Sequence, residues 1–236
     1  MKLISLFFIF FICSYFVYGA SFKVTTTNFT GPGSISEAIS NATAGSDTVV
    51  CELKGTIVFS STITLTSSVT LIGPGSDNLV LQSSGLTLFN INVVASNVNI
   101  SGFSLTTSGV SGASAIVSGA SELKIYDCIF TNCISSGIGG AIVANTGGLT
   151  VHSCSFVNVV AATNGGSIFL TTNSGLPSNI VNCTFGRTSG FSTENGQNGG
   201  AIYINVSSGT VNIVNNTFAR LSVTSQGGAV YSNVAN

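Results

Sequence analysis

The sequence predicts an all-β protein, a right-handed parallel β-helix solenoid of about seven coils with a short N-terminal capping helix. Three observations predict it. Four consecutive segments align on shared Phe and Gly-Gly positions, and apolar residues alternate with period two inside each segment. No window of ten or more residues carries the 3.6-residue apolar stripe of a long amphipathic helix.

In chain order, Lys2, the apolar residues 3–12 and the small-residue site Val17-Tyr18-Gly19 read as a signal peptide, with cleavage expected before Ala20. The apolar stretch is shorter than the roughly 20 residues of a spanning helix, and Cys13 and Ser14 interrupt it. Only 6% of the 236 residues are charged and the formal net charge is −1. Nothing electrostatic therefore points to nucleic acid or an anionic membrane. Any membrane attachment is expected through an anchor outside this segment. Residues 20–50 read as an N-terminal cap. Ser34-Ile-Ser-Glu37 is a capping box, and Ile35, Ala38, Ile39 and Ala42 form one apolar stripe, which predicts a short helix laid across the first coil to cover its open strand edge.

The β-helix is expected over residues 51–236. Strand-like alternation runs through 56–59, 63–65, 69–72, 79–81, 86–89 and 98–105. The aligned repeats follow at 123–147, 149–175, 179–209 and 211–234, with anchoring residues Phe130, Phe156, Phe185 and Phe218. Their Gly-Gly pairs begin at Gly139, Gly165, Gly199 and Gly227; Phe and Gly are nine residues apart in three repeats and fourteen in the third. The surplus assigns residues 190–198 to an outward loop. An antiparallel sandwich would have similar strand spacing, but it does not require the same residue at the same place in successive repeats. A coil that stacks at about 4.8 Å per rung does.

Stacking also accounts for the cysteines. Cys128, Cys154 and Cys183 each stand two residues before an anchor Phe, with Asn216 in that place in the fourth repeat. They are expected to form a structural ladder in the interior. A metal site would need ligands converging on one point, which a line of single Cys on adjacent rungs does not supply. With Cys51 and Cys133 the mature chain holds five cysteines, an odd number, so at least one thiol is unpaired. No metal and no cofactor are implied.

The motifs Gly31-Pro-Gly-Ser-Ile-Ser-Glu-Ala-Ile39, Asp47-Thr-Val-Val50, Gly55-Thr-Ile57, Leu71-Ile-Gly-Pro-Gly75 and Asp77-Asn-Leu79 resemble the cap and first coils of secreted proteins of the pectin-lyase-like superfamily. The Gly-Gly-Ala-Ile motifs at 139–142 and 199–202, with variants at 165–168 and 227–230, resemble repeats of polymorphic outer-membrane proteins and related adhesins. The resemblance implies a secreted β-helix and two function classes: an adhesive surface or a polysaccharide-active enzyme.

An enzyme of the second class needs clustered carboxylates, either around Ca²⁺ with a basic residue or as a pair flanking a glycosidic bond. The seven acids Glu37, Asp47, Glu52, Asp77, Glu122, Asp127 and Glu194 are scattered, and no catalytic residue is assigned. The Asn-x-Asp, Asp-Asp, Gly-His-Gly and Arg-x-Lys elements of polygalacturonases and the Asp and Arg clusters of pectate lyases are missing. His152, the one His, falls at an outward position of a strand without a carboxylate nearby in sequence. Arg187 and Arg220 occupy matching positions one coil apart and are the candidate glycan contacts. Asn28, Asn41, Asn99, Asn182, Asn205 and Asn215 lie in Asn-x-Ser/Thr sequons and are candidate N-glycosylation sites. The expected function is thus a non-catalytic, extracellular or cell-surface glycoprotein that contacts glycans or cell-surface proteins. The alternative is an enzyme whose catalytic carboxylates lie beyond residue 236. A last coil without a cap is expected to favour end-to-end self-association.

Overall fold

The computed structural model describes residues 19–108, 112–172, 174–186 and 198–234. Residues 1–18 of the proposed leader (1–19), Arg187, Glu194 and most of the loop assigned to 190–198 lie outside the described residues. The chain winds into a parallel β-solenoid of about eight turns with three long sheets, of eight, seven and seven strands. Among the described residues every strand pairing is parallel and joins one coil to the next. The eighth rung, one more than the repeats suggest, arises because Ser21–Val24 pairs with Asp47–Cys51 at the start of the first sheet.

A coil follows directly from its residues. In one of them, Glu122–Tyr126 lies in the first sheet, Ile129–Thr131 in the second and Ile142–Asn145 in the third. Asp127 turns the first corner with φ 51°, a left-handed conformation shared by Ser153, Asn182 and Asn215 on later coils and by Gly102 on an earlier one. Asp, Asn and Gly tolerate that conformation best, which is why this corner is rich in them. At Gly102 the same corner splits the run expected over 98–105 into Asn97–Ser101 and Ser104–Thr106. The strand expected at 86–89 instead spans Phe89–Ile91, because Leu86 stands in a turn whose carbonyl accepts the Ser83 hydroxyl.

Inward side chains stack rung upon rung. Val49, Leu71, Ile100, Ile125, Val151 and Ile180 form one buried column under the first sheet. Ile63, Phe89, Ile116, Ile142, Ile168 and Ile202 form another under the third. Under the second sheet Phe130, Phe156, Phe185 and Phe218 stack with ring centroids 4.9, 4.6 and 5.1 Å apart. No coil buries these faces alone; the column exists only because neighbours stack.

The helix Ile35–Asn41 sits at the N-terminal end. Ser34 Oγ accepts the Glu37 N–H at 3.1 Å, and Glu37 Oε2 accepts the Gly33 N–H at 2.6 Å, one residue outside the usual reciprocal box. Ile35, Ala38, Ile39 and Ala42 are buried and the helix packs on the two first strands. No helix among the described residues is long and apolar enough to cross a membrane.

Candidate functional site

The described acids have local partners or stand in turns. Glu37 caps the helix, Glu52 pairs with Lys23 at 3.1 Å, and Glu122 pairs with Lys124 at 2.8 Å. Asp47 accepts the N–H groups of Ala20 and Ala44, each at 2.8 Å. Asp77 and Asp127 are exposed. Among the described residues no group of three His, Cys, Asp or Glu side chains is placed to hold a metal ion. His152 is half-buried; its ring nitrogens meet Ser153 Oγ at 2.8 Å and Asn182 Nδ2 at 3.4 Å, and its ring lies 6.3 Å from Tyr126. Among the described residues such a His has hydroxyl and amide partners but no carboxylate to orient it as a base.

Cys128, Cys154 and Cys183 are buried on successive rungs, and all five described cysteines are free thiols. Burial pushes the Cys128 and Cys133 thiols up to about 12. Cys154 is held well above the ordinary thiol range by its hydrogen bond with Cys183 and by burial. Asn216 takes the next place on the ladder, its Oδ1 accepting the Cys183 N–H at 2.8 Å and its Nδ2 donating to the Ile180 carbonyl at 2.7 Å. Cys183, the other partner in that bond, is lowered by it. All of these thiols are buried in the column, where they pack and offer no exposed nucleophile.

Arg220 is exposed, with φ 56°, at the corner that closes the second sheet, where Asn132 and Asn158 stand on earlier coils. Its expected partner Arg187 is outside the described residues. Of the six sequon residues, Asn28, Asn41, Asn182, Asn205 and Asn215 are exposed. Asn99 is half-buried and donates from Nδ2 to Thr70 Oγ1 at 3.2 Å.

The third sheet brings together residues that, apart from the sequon residue Asn205, sequence reasoning did not single out. Its strands carry no charged residue. Two outward rows run along it. Val143, Phe169, Tyr203 and Tyr231 are in register, and the three aromatic rings stack with centroids 4.9 and 5.0 Å apart. Asn145, Thr171, Asn205 and Asn233 form the next row. Within it Thr171 Oγ1 donates to Asn145 Oδ1 at 2.5 Å and Asn233 Nδ2 to Asn205 Oδ1 at 3.3 Å. These rows were visible in the repeat alignment as the fourth and sixth positions after the first Gly of each Gly-Gly pair.

Beside the second row lies an open groove of about 650 Å³ at the corner between the third and first sheets. Asn145, Thr171, Asn205, Ser207, Ser174 and Leu176 are among its lining residues, from consecutive coils. Thr146 also lines it but is only 4% exposed, and its Oγ1, which has no hydrogen-bond partner, is closed off from the groove. The groove therefore offers amide and hydroxyl donors and acceptors, repeated rung by rung, with no fixed charge.

Set against known proteins, the sequence matches no family model, no curated protein and no solved structure.

Proposed function

We propose that this chain is a secreted, non-catalytic glycoprotein whose β-helix serves as an adhesive or structural surface, and that the corner groove holds a neutral glycan. The observation that carries this reading is the charge-free row Asn145, Thr171 and Asn205, which lines a groove of amide and hydroxyl groups. A sugar presents hydroxyls, which such amides and hydroxyls match as both donors and acceptors. An acidic glycan would surrender hydration of its carboxylates there and find no cation in return. Rungs recur at about 4.8 Å, so a chain laid along the solenoid axis meets equivalent groups again and again. The adjoining stack of Phe169, Tyr203 and Tyr231 supplies an apolar flank for the C–H face of the sugars.

The exposed sequons Asn28, Asn41, Asn182 and Asn215 are the proposed N-glycosylation sites, ahead of the half-buried Asn99, while the exposed Asn205 is kept as a groove contact. A glycan on Asn205 would stand in the groove itself. The test is therefore a glycan array, with a parallel assay for cleavage products, on the secreted chain and on its Asn205→Gln variant, which keeps the amide and removes the sequon. Cellohexaose, a neutral chain, is expected to bind the Asn205→Gln protein without being cut, and an oligogalacturonide of equal length to bind at least tenfold more weakly. Thr171→Arg, which fills the groove with a cationic side chain, is expected to weaken cellohexaose at least tenfold, while Arg220→Ala changes it less than twofold. Absence of glycan binding sinks the adhesive reading. Preference for the acidic chain, lost in Arg220→Ala, transfers the site to the arginine corner, and release of products restores the enzyme alternative.

A further inference from the structure

Asp47 is 3% exposed, yet neither ion pair among the described residues involves it. Its two carboxylate oxygens accept backbone N–H groups instead, Oδ1 from Ala20 and Oδ2 from Ala44, both at 2.8 Å. A carboxylate this enclosed is best satisfied by a positive donor, which is absent while Ala20 N is an amide. Ala20 is the residue before which the leader is expected to be cut. Hydrolysis of the Gly19–Ala20 peptide bond by a signal peptidase consumes one water. The new carboxylate leaves on Gly19, and the Ala20 nitrogen becomes a primary amine that takes up a proton.

We infer that Asp47 is the built receptor for the N-terminal ammonium created at Ala20, so that removal of the leader locks the first rung of the solenoid. The surroundings fit this role. The Ala20 carbonyl is held by the Thr48 N–H at 2.8 Å, so the nitrogen 2.8 Å from Asp47 Oδ1 is fixed from both sides. Asp47 begins the second strand of the first sheet, Ser21–Val24 pairs with that strand, and the helix Ile35–Asn41 packs on both. The bond therefore ties the N-terminal strand, the turn before Asp47 and the body of the solenoid at one point. Before cleavage, position 19 is tight: a Cβ there would fall 1.8 Å from the Ser46 carbonyl oxygen. Only Gly fits, and a small residue is also what a cleavage site requires.

This inference rests on the secreted reading for the cut itself, and two measurements separate the two. N-terminal sequencing of the secreted chain should return Ala20; any other start overturns the cut and this inference together. The lock is tested by four proteins: a chain beginning at Ala20, the same chain carrying Gly-Gly before Gly19, and Asp47→Asn in each. The free Ala20 amine is expected to raise Tm by about 2–6 °C over the extended chain. That gap should shrink to less than about half in the Asp47→Asn pair, because the amide oxygen still accepts from the ammonium but carries no opposite charge. Equal Tm values for the first two proteins, or a gap that Asp47→Asn leaves undiminished, overturn the lock while leaving secretion and glycan binding untouched. A merely structural Asp47 would lower both chains alike.

Discussion

At the scale of single residues, the Gly-Gly pairs show two different demands made by adjacent positions. Gly165 has φ 68°, a conformation that a side chain strains. Gly166 has no such φ; its constraint is the next rung, since a Cβ would lie 2.1 Å from the Gly200 carbonyl oxygen. That oxygen belongs to backbone and cannot swing away, so a methyl group there must push two coils apart. Gly166→Ala is expected to cost about 2–3 kcal/mol in urea unfolding, and an unchanged midpoint would mean that the rungs separate more easily than their hydrogen bonds imply. The same contact recurs one coil earlier, where a Cβ on Gly140 would lie 2.3 Å from the Gly166 oxygen. Repetition of the pair in the sequence is thus a record of repeated backbone contact.

Among the elements, the Phe stack under the second sheet is the clearest case of strands stabilising one another. Phe156 is 1% exposed and lies between Phe130 and Phe185, both nearly parallel to it at interplanar angles of 3° and 7°. Phe218 stacks on one described neighbour, Phe185, and is only partly buried. Phe156→Ala should therefore cost about 3–5 kcal/mol, because it empties a site that rings on both sides hold open. Phe218→Ala should cost clearly less, and equal losses in thermal denaturation would show that ring stacking contributes little beyond burial.

For the whole molecule, the buried thiols set a limit at alkaline pH. The Cys51, Cys128 and Cys133 thiols are each pushed by burial from about 9 up to about 12. Between those values the unfolded chain releases protons that the folded chain keeps. Stability is thus fully present below pH 9 and falls as pH rises towards 12, by roughly 1.4 kcal/mol per unit for each thiol. Urea midpoints at pH 7, 9 and 10.5 should show this fall, and Cys133→Ala should make the slope shallower. An identical slope in Cys133→Ala would place the alkaline sensitivity elsewhere.

Much of this architecture was legible in one sequence because a solenoid repeats its environment. The anchors Phe130, Phe156, Phe185 and Phe218, the cysteines before them and the Gly-Gly pairs recur because each coil meets the same neighbour in the same way. The capping box was equally readable, since Ser34 and Glu37 act on backbone only a few residues away. The groove was not. Alternation assigns Asn145, Thr171 and Asn205 to the outside of the sheet, but only the folded corner, where Ser174, Leu176 and Ser207 stand beside them, turns an outward row into a concave site. Asp47 is a similar case. Its pairing with Ala20 spans 27 residues and one full coil, and nothing local reveals it. Period and composition determined the coil; closure of each coil onto the next decided which surface residues meet, because such contacts depend on stacking distance and corner geometry rather than on neighbours in the chain.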